Sequence, residues 1–244
     1  MLGAALDASG PGAPGYFGKL PGFGDFVTRR LPRGFVDPWD DWLQLCVLSA
    51  RERLGVSWLD TYLTSPIWRF AMGTGVCGPA GWTGLVMPSV DRVGRHFPLT
   101  LASELPAESG LLPLLCEDSW FERLEELALS TLDEPFDLTS FDQELQGLTL
   151  QASGNAIVSA HKGAQTEGVS WYFELPSVAS LAPSMPAILE SLFGPQLDRH
   201  SFWWTSGSAK VKPCLLTCRG LPPTATSAAF LDGNWSRWGW ASQP

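Results

Sequence analysis

The sequence lacks several features that define whole classes of protein. Its five cysteines include no CxxC pair and no matching histidine spacing, so the sequence predicts no zinc site. No apolar run approaches the roughly 18 residues that a membrane-spanning helix needs, and no signal peptide is recognisable. We therefore expect a cytoplasmic protein with reduced thiols and no membrane insertion.

Basic residues are also scarce. The 16 Lys and Arg residues are outnumbered by 25 Asp and Glu residues, which gives a formal net charge of -9. Because nucleic-acid affinity comes largely from neutralising phosphates, DNA and RNA are not expected partners. Segment 104–144 contains 12 acidic residues and one basic residue, whereas the rest of the chain contains 15 basic and 13 acidic residues. This acidic segment is interpreted as a solvated helical face, and a surface that steers a protein partner is the alternative.

Apolar residues, in contrast, are abundant. They make up 45% of the chain, with 12 Trp and 13 Phe residues, which is enough to build a large core. Residues 1–14 are small and rich in Gly and Pro, and they predict a disordered leader. The remaining residues, 15–244, are expected to form a single domain.

Helices and strands are predicted to alternate along this domain. Asp37 is expected to cap a helix that has Pro38 in its first turn and ends at Gly55. The other helices are predicted from capping and apolar spacing, and the strands from apolar density. The predicted helices lie at 38–54, 57–62, 117–132, 140–146, 185–193 and 224–231, and the strands at 67–72, 82–88, 97–103, 156–160, 169–173, 202–205 and 213–217. This alternation is typical of a layered α/β domain.

The stretch GYFGKLPGFGDFVTRR, residues 15–30, has the glycine density of a phosphate-binding loop. A P-loop requires Ser or Thr after its lysine, but Leu20 follows Lys19 here, and the spacing of the glycines is also wrong. Glycines interleaved with aromatic residues instead indicate a tight turn in which rings cover closely packed backbone. Lys19 and Asp25 are the candidate contact residues of this stretch if it also serves as a docking surface.

Segment 73–78, GTGVCG, matches the dinucleotide-binding pattern GxGxxG directly after a predicted strand. No helix follows to hold a pyrophosphate, because PAGWTG leads into another strand. The segment is therefore interpreted as the hairpin loop between strands 67–72 and 82–88.

Charged residues cluster a second time in PSVDRVGRHFP, residues 88–98. Asp91 can accept hydrogen bonds from amides of its own turn or pair with Arg92 or Arg95, and Gly94 permits a positive φ. A structural turn with a salt bridge is the favoured interpretation, and a binding role is the alternative.

Complete catalytic patterns are missing from the sequence. His96, His161 and His200 occur in unrelated contexts, and no nucleophile motif is complete, so no catalytic residue, metal site or cofactor is predicted. Trp203 and Trp204 are interpreted mainly as core residues, with an interface anchor as the alternative.

Several separated motifs together resemble a known family. GYFGKLPGFGDFV, LPRGFVDPWDDWLQ, GLVMPSVDRVGRHFPLT, SFWWTSG and CRGLPP followed by AAFLDG occur in this order between residues 15 and 233. In this order and spacing they are similar to TagF, a family of type VI secretion-associated proteins. Gly22 and Phe23 depart from the polar pair expected before Gly24 and Asp25, which affects only the surface of that loop.

The resemblance implies a fold and a function. The implied fold is a single three-layer α/β/α sandwich with a mixed sheet. The implied function is that of a cytoplasmic accessory protein that restrains the type VI secretion machine after translation by binding a forkhead-associated scaffold protein. It implies no catalytic activity and no cofactor.

A second class of function stays open beside this one. It is a small-molecule or phosphate-binding module with a weak hydrolase activity around Asp25 and Arg95. The residues that could form an interaction site or a structural knot are Lys19, Asp25, Asp91, Arg92, Arg95, Trp203 and Trp204.

Overall fold

A seven-stranded sheet forms the centre of the structure, a computed structural model that describes residues 12–106, 109–150, 160–162, 171–173, 177 and 181–240. In chain order the strands are β1 Gly15–Gly18, β2 Val27–Arg29, β3 Trp68–Met72, β4 Trp82–Met87, β5 Leu99–Glu104, β6 Ala160–Lys162, β7 Trp171–Phe173, β8 His200–Thr205 and β9 Cys214–Arg219. The spatial order in the large sheet is β2-β1-β5-β4-β3-β8-β9, and β6 pairs with β7 in a separate ribbon.

The predicted mixed sheet is wrong, because every neighbouring pair of strands in the large sheet is antiparallel. Alternating strands and helices predict a parallel sheet only when each helix crosses over between neighbouring strands. Here β3 and β4, and likewise β8 and β9, are joined by short connections and pair directly. The helices between β5 and β8 cover the sheet but do not connect strands that are neighbours in it. No helical crossover therefore places two parallel strands side by side here.

Seven helices accompany the strands in the part of the chain that the structure describes. They are α1 Arg33–Leu54, α2 Trp58–Leu63, α3 Leu111–Leu114, α4 Asp118–Ser130, α5 Leu138–Gly147, α6 Leu181–Leu197 and α7 Ala229–Asp232. Apolar residues of α1 pack on one face of the sheet and those of α4 and α5 on the other. The pleat of β3 explains this, since Phe70 and Met72 point to the α1 side and Ala71 to the opposite side.

The start of α1 differs from the prediction. The helix begins at Arg33, with Pro32 as its cap, so Pro38 lies inside it rather than in its first turn. Pro38 has no backbone N–H, so the helix lacks one hydrogen bond at this residue. The burial of Phe35, whose ring lies 4.4 Å from that of Trp82, stabilises the added first turn and offsets this loss. The predicted end at Gly55 is confirmed.

Most other predicted elements are confirmed with small shifts at their ends, and the hairpin loop at 73–78 is confirmed by the β3–β4 pairing. The glycine-rich stretch at 15–30 contains a strand pair, β1 and β2, that the sequence analysis missed, and the short helix α3 was also missed. The predicted leader lies outside the described residues up to residue 11, and so does most of the predicted strand at 156–160.

Tryptophans on α1 and β8 connect the sheet to its helical cover. The rings of Trp39 and Trp203 are parallel, with centroids 5.8 Å apart and 5° between their planes. Trp39 also donates an indole hydrogen bond of 2.9 Å to Thr100 of β5. These contacts join α1, near the start of the chain, to β5 and to β8 near its end.

Candidate functional site

The glycine-rich segment 15–30 and the charged segment 88–98 meet in the structure. Lys19 follows β1, and Asp91 lies in the loop between β4 and β5. The Lys19 Nζ donates to Asp91 Oδ2 over 2.6 Å, and the Arg95 Nε donates to the same oxygen over 2.7 Å. We call Lys19, Asp91 and Arg95 the charged knot.

The carboxylate of Asp91 is saturated with hydrogen bonds. Besides the two side-chain donors, its Oδ1 accepts the backbone amides of Val93 at 3.0 Å and Arg95 at 2.8 Å. Burial alone would raise the pKa of Asp91, but the bonds from Lys19, Arg95 and the two amides outweigh it and hold the pKa well below its ordinary value. Asp91 is therefore a charged structural centre with no acceptor capacity left for a proton-transfer role.

The loop around Asp91 is fixed to its neighbours by further bonds. The amide of Arg92 donates 3.0 Å to the carbonyl of Phe23, and the Arg95 guanidinium also donates to the carbonyl of Gly24. Ser89 Oγ donates 2.8 Å to the carbonyl of Lys19, and the hydroxyl of Tyr62 donates to the carbonyl of Ser89. The knot is held between β1, α2 and the start of β5.

Phe26 covers the charged knot from the solvent side. The Lys19 Nζ lies 4.5 Å from the centroid of its ring, which is a cation–π distance, and Phe97 contacts the ring at 4.9 Å. Even so, the Phe26 side chain is 49% exposed. An aromatic ring in this position is both a lid on a buried charge and an accessible apolar surface.

The amides of this loop are not available to a phosphate. Asp91 N donates to the carbonyl of Arg95, Arg92 N to that of Phe23 and Gly94 N to that of Asp91, while the amides of Val93 and Arg95 donate to the Asp91 carboxylate. A phosphate cradle requires several free amides that converge on one point. The interpretation of a structural turn is confirmed, including the positive φ of Gly94, 83°.

Close backbone packing explains a glycine in the first segment. Gly18 has a φ of 134°, and a Cβ at this position would overlap the carbonyl oxygen of Pro98. The turn predicted at 15–30 is thus a place where β1 approaches the start of β5 too closely for any side chain.

The side chains of the other predicted site residues take no part in the charged knot. Arg92 and Asp25 are exposed, and neither has a side-chain ion pair within the described residues. Trp203 is fully buried, so it has no surface to offer a partner, and the half-buried Trp204 packs edge to face on Phe121 of α4 at 4.8 Å. The structure therefore brings together three of the seven candidates.

Two surface residues beside the knot were missed by the sequence analysis. Phe26 is half exposed, and Val93 is 64% exposed. Both stand in turns, where an apolar side chain either packs on a neighbouring segment or faces solvent, and the sequence does not distinguish the two. Only the folded loop shows that they face solvent.

The described residues form no metal site from their histidines and other ligand types. The ring of His96 packs against Trp58 and Tyr62 at 5.3 and 5.8 Å, and nothing of the His161 side chain is described. The described residues contain no group of three or more His, Cys, Asp or Glu side chains placed to hold a metal ion. None of the described helices combines the length and the apolarity that crossing a membrane would require.

Comparisons with known proteins complete these observations. A family model described as the TagF N-terminal domain, type VI secretion system-associated, matches residues 15–148. The crystal structure of PA0076 from Pseudomonas aeruginosa PAO1 is 39% identical in sequence and superposes with a TM-score of 0.74. The match covers 91% of this chain and 94% of that one. No curated protein matches the chain.

Proposed function

The chain belongs to the TagF family of type VI secretion system-associated proteins, and from that premise we propose that it is a cytoplasmic negative regulator of this system. In this proposal it acts after translation, by binding the forkhead-associated scaffold protein of the secretion machine. The family match over residues 15–148 is the observation that carries the proposal.

The surface above the charged knot supports a function by binding. Buried charges in the knot neutralise one another, while Phe26, Arg92 and Val93 stay exposed around it. Aromatic and arginine side chains on a rigid support are typical of binding hot spots. We call Phe26, Arg92, Val93 and the exposed part of Arg95 the docking face.

The buried thiols and the carboxylate of Asp91 are unreactive, which supports a protein without catalytic activity. Burial raises the pKa of Cys46 and of Cys77 to about 12, and that of Cys218 to about 11, so these thiols stay protonated at neutral pH. Asp91 has all its acceptor positions occupied. The proposal therefore assigns no reaction to this chain.

The phosphate-binding alternative requires Asp25, Asp91 and Arg95 to line one concave pocket. Asp91 is enclosed by its own hydrogen bonds, whereas Asp25 is exposed on the β1–β2 connection. These positions do not favour a shared anion site, and no other observation in the described residues favours this alternative.

A binding measurement with the purified scaffold protein tests the proposal. Val93→Asp places a charge in the docking face and should weaken binding about tenfold or more, as loss of a hot-spot contact does. Leu215→Asp changes an aliphatic side chain of similar exposure, 56% against 64%, on β9 at the far edge of the sheet, and should leave binding unchanged. Absence of any binding by the unmodified protein would contradict the proposed function.

Direction of regulation needs a second measurement. In a strain lacking the native protein, the unmodified chain should suppress type VI secretion, and the Val93→Asp variant should restore it at equal protein level. Equal suppression by a variant that no longer binds the scaffold would show that repression follows another route.

A further inference from the structure

A groove lies beside the docking face, between the end of α1, the start of α2 and the loop that contains Arg95. Its lining includes Arg51, Val56, Trp58, Leu59, Arg95 and His96. Arg95 belongs to both surfaces, so the groove continues the docking face. We call it the Arg51 groove.

The charge of the groove is opposite to that of the whole protein. None of the described residues that line it is acidic, although the chain has a net charge of -9. Arg51 stacks over the ring of Trp58 at 5.4 Å and has no ion pair within the described residues. Arg95 gives one donor to Asp91 and another to Gly24, yet its side chain remains 57% exposed.

Aliphatic side chains stand next to these arginines. Val56 is fully exposed, and Leu59 is 42% exposed. Val56 lies in the 3₁₀ turn Gly55–Ser57 that separates α1 from α2, and this turn projects it away from the core. Exposed aliphatic groups flanked by cations fit an occupant that carries both apolar and acidic groups.

Trp58 lines the groove, but its indole nitrogen lies inside the protein. Its side chain is buried, and its Nε1 has no acceptor within the described residues. A buried donor without an acceptor costs free energy in the free protein. Because this nitrogen is itself out of reach of solvent, an occupant of the groove contacts the ring of Trp58, over which Arg51 lies, and not its donor.

The chemistry of the groove favours carboxylates over phosphate. The adjacent amides of residues 92–95 are all donated within the protein, so the groove holds anions only through side chains. Free phosphate gains most from converging amides, and it makes no use of Val56 or Leu59. A peptide with acidic and apolar residues uses both parts of the surface.

From these observations we propose that the Arg51 groove binds an acidic segment of a protein partner. Carboxylates of the segment pair with Arg51 and Arg95, and an aliphatic or aromatic residue between them packs on Val56 and Leu59. Assigning this segment to the forkhead-associated scaffold rests on the proposed function, whereas the groove itself rests on the geometry alone.

A peptide titration tests the groove directly. The probe is a fluorescein-labelled peptide of about 12 residues with alternating Glu and Leu, a length that spans about 40 Å when extended. It should bind the full chain with an affinity that falls as salt rises, while the same peptide with Gln in place of Glu should not bind. Equal binding of the two peptides would overturn the proposal, and so would full competition by millimolar inorganic phosphate.

Matched variants assign the binding to the groove. Arg51→Gln and Val56→Ser alter exposed side chains outside the charged knot. Each should lower the affinity for the Glu-Leu peptide about fivefold. Arg53→Gln is the control, since Arg53 lies over Trp238 and does not line the groove. Thermal unfolding of each variant verifies its fold, and equal weakening by Arg53→Gln would show that the effect is unspecific.

Scaffold binding by the double variant Arg51→Gln, Val56→Ser separates the two proposals. If the unmodified chain and the double variant bind the scaffold equally, the groove is not the scaffold's site and the proposed function stands. If the unmodified chain binds the acidic peptide but not the scaffold, the groove stands and the proposed partner is wrong.

Discussion

The ammonium group of Lys19 lies 2.6 Å from the carboxylate of Asp91, and both side chains are almost completely removed from water. Each charge offsets part of the cost of burying the other. This pair joins the hairpin at the start of the chain to the loop between β4 and β5, and it supports the surface on which the docking face lies.

Lys19→Met should destabilise the protein strongly, because it leaves the Asp91 charge buried with fewer partners. We expect a loss of about 3–5 kcal/mol in the free energy of unfolding, measured by urea denaturation. The control Lys212→Met changes an exposed lysine and should lie within about 0.5 kcal/mol of the unmodified protein. A small effect of Lys19→Met would mean that Asp91 is satisfied without it.

Protonation of Asp91 should lower the free energy of unfolding at acidic pH. Its pKa is lower in the folded protein than the ordinary 3.8, so its carboxylate stabilises the fold above about pH 4, and this contribution is lost as the pH falls toward the folded pKa. The difference in unfolding free energy between the unmodified protein and Asp91→Asn should therefore be constant from pH 8 to 5 and shrink below about pH 4. A difference that stays constant to pH 2.5 would contradict the lowered pKa.

Arg69 should anchor α4 to the sheet. It is buried on β3, and its guanidinium donates 2.7 Å to Glu125 and 3.3 Å to Asp118. Because the two carboxylates are partly exposed and can be hydrated, Arg69→Met should cost about 1.5–3 kcal/mol of unfolding free energy, less than Lys19→Met. Arg123→Met removes an exposed pair with Glu126 on the same helix and should cost under about 1 kcal/mol.

Gly18→Ala should disrupt the contact between β1 and β5. The added Cβ overlaps the Pro98 carbonyl, so we expect a loss of about 3 kcal/mol or more in denaturation experiments. Gly22→Ala is the matched control, since Gly22 also has a positive φ, 73°, but faces open space. It should cost about 1 kcal/mol, the strain of a left-handed backbone alone.

Cysteine reactivity should follow exposure. Cys116 is exposed, whereas Cys77 is buried and burial raises its pKa to about 12. Brief iodoacetamide treatment of the native protein at pH 8 should modify Cys116 first, as read by peptide mass spectrometry. Modification of Cys77 at a comparable rate would indicate that the β3–β4 loop opens.

The sequence predicted those features that depend on neighbours along the chain. The Asp91–Arg95 pair, the end of α1 at Gly55 and the strands β3 and β4 all follow from local spacing and turn chemistry. The strand direction in the sheet was predicted wrongly, since alternation of elements does not say which strands become neighbours.

Long-range contacts account for what the sequence could not show. Gly15 and Gly18 lower the strand propensity of β1. The structure shows why they are there, because a Cβ at Gly15 would overlap the carbonyl oxygen of Arg29 and a Cβ at Gly18 that of Pro98. The Lys19–Asp91 pair and the exposure of Val93 likewise depend on how distant segments pack. Sequence reasoning therefore found both halves of the knot without showing that they form one site.

The position of β8 in the sheet has a consequence for biosynthesis. The outer edge of β3 is paired by β8, and Trp203 and Phe230 complete the core that α1 begins. Until residues 200–205 have been synthesised, β3 lacks its partner on this edge, and Trp39 lacks the ring of Trp203 that packs on it. A truncated chain that stops at residue 148 should therefore be recovered mainly as inclusion bodies, although it contains the whole segment by which the family is recognised.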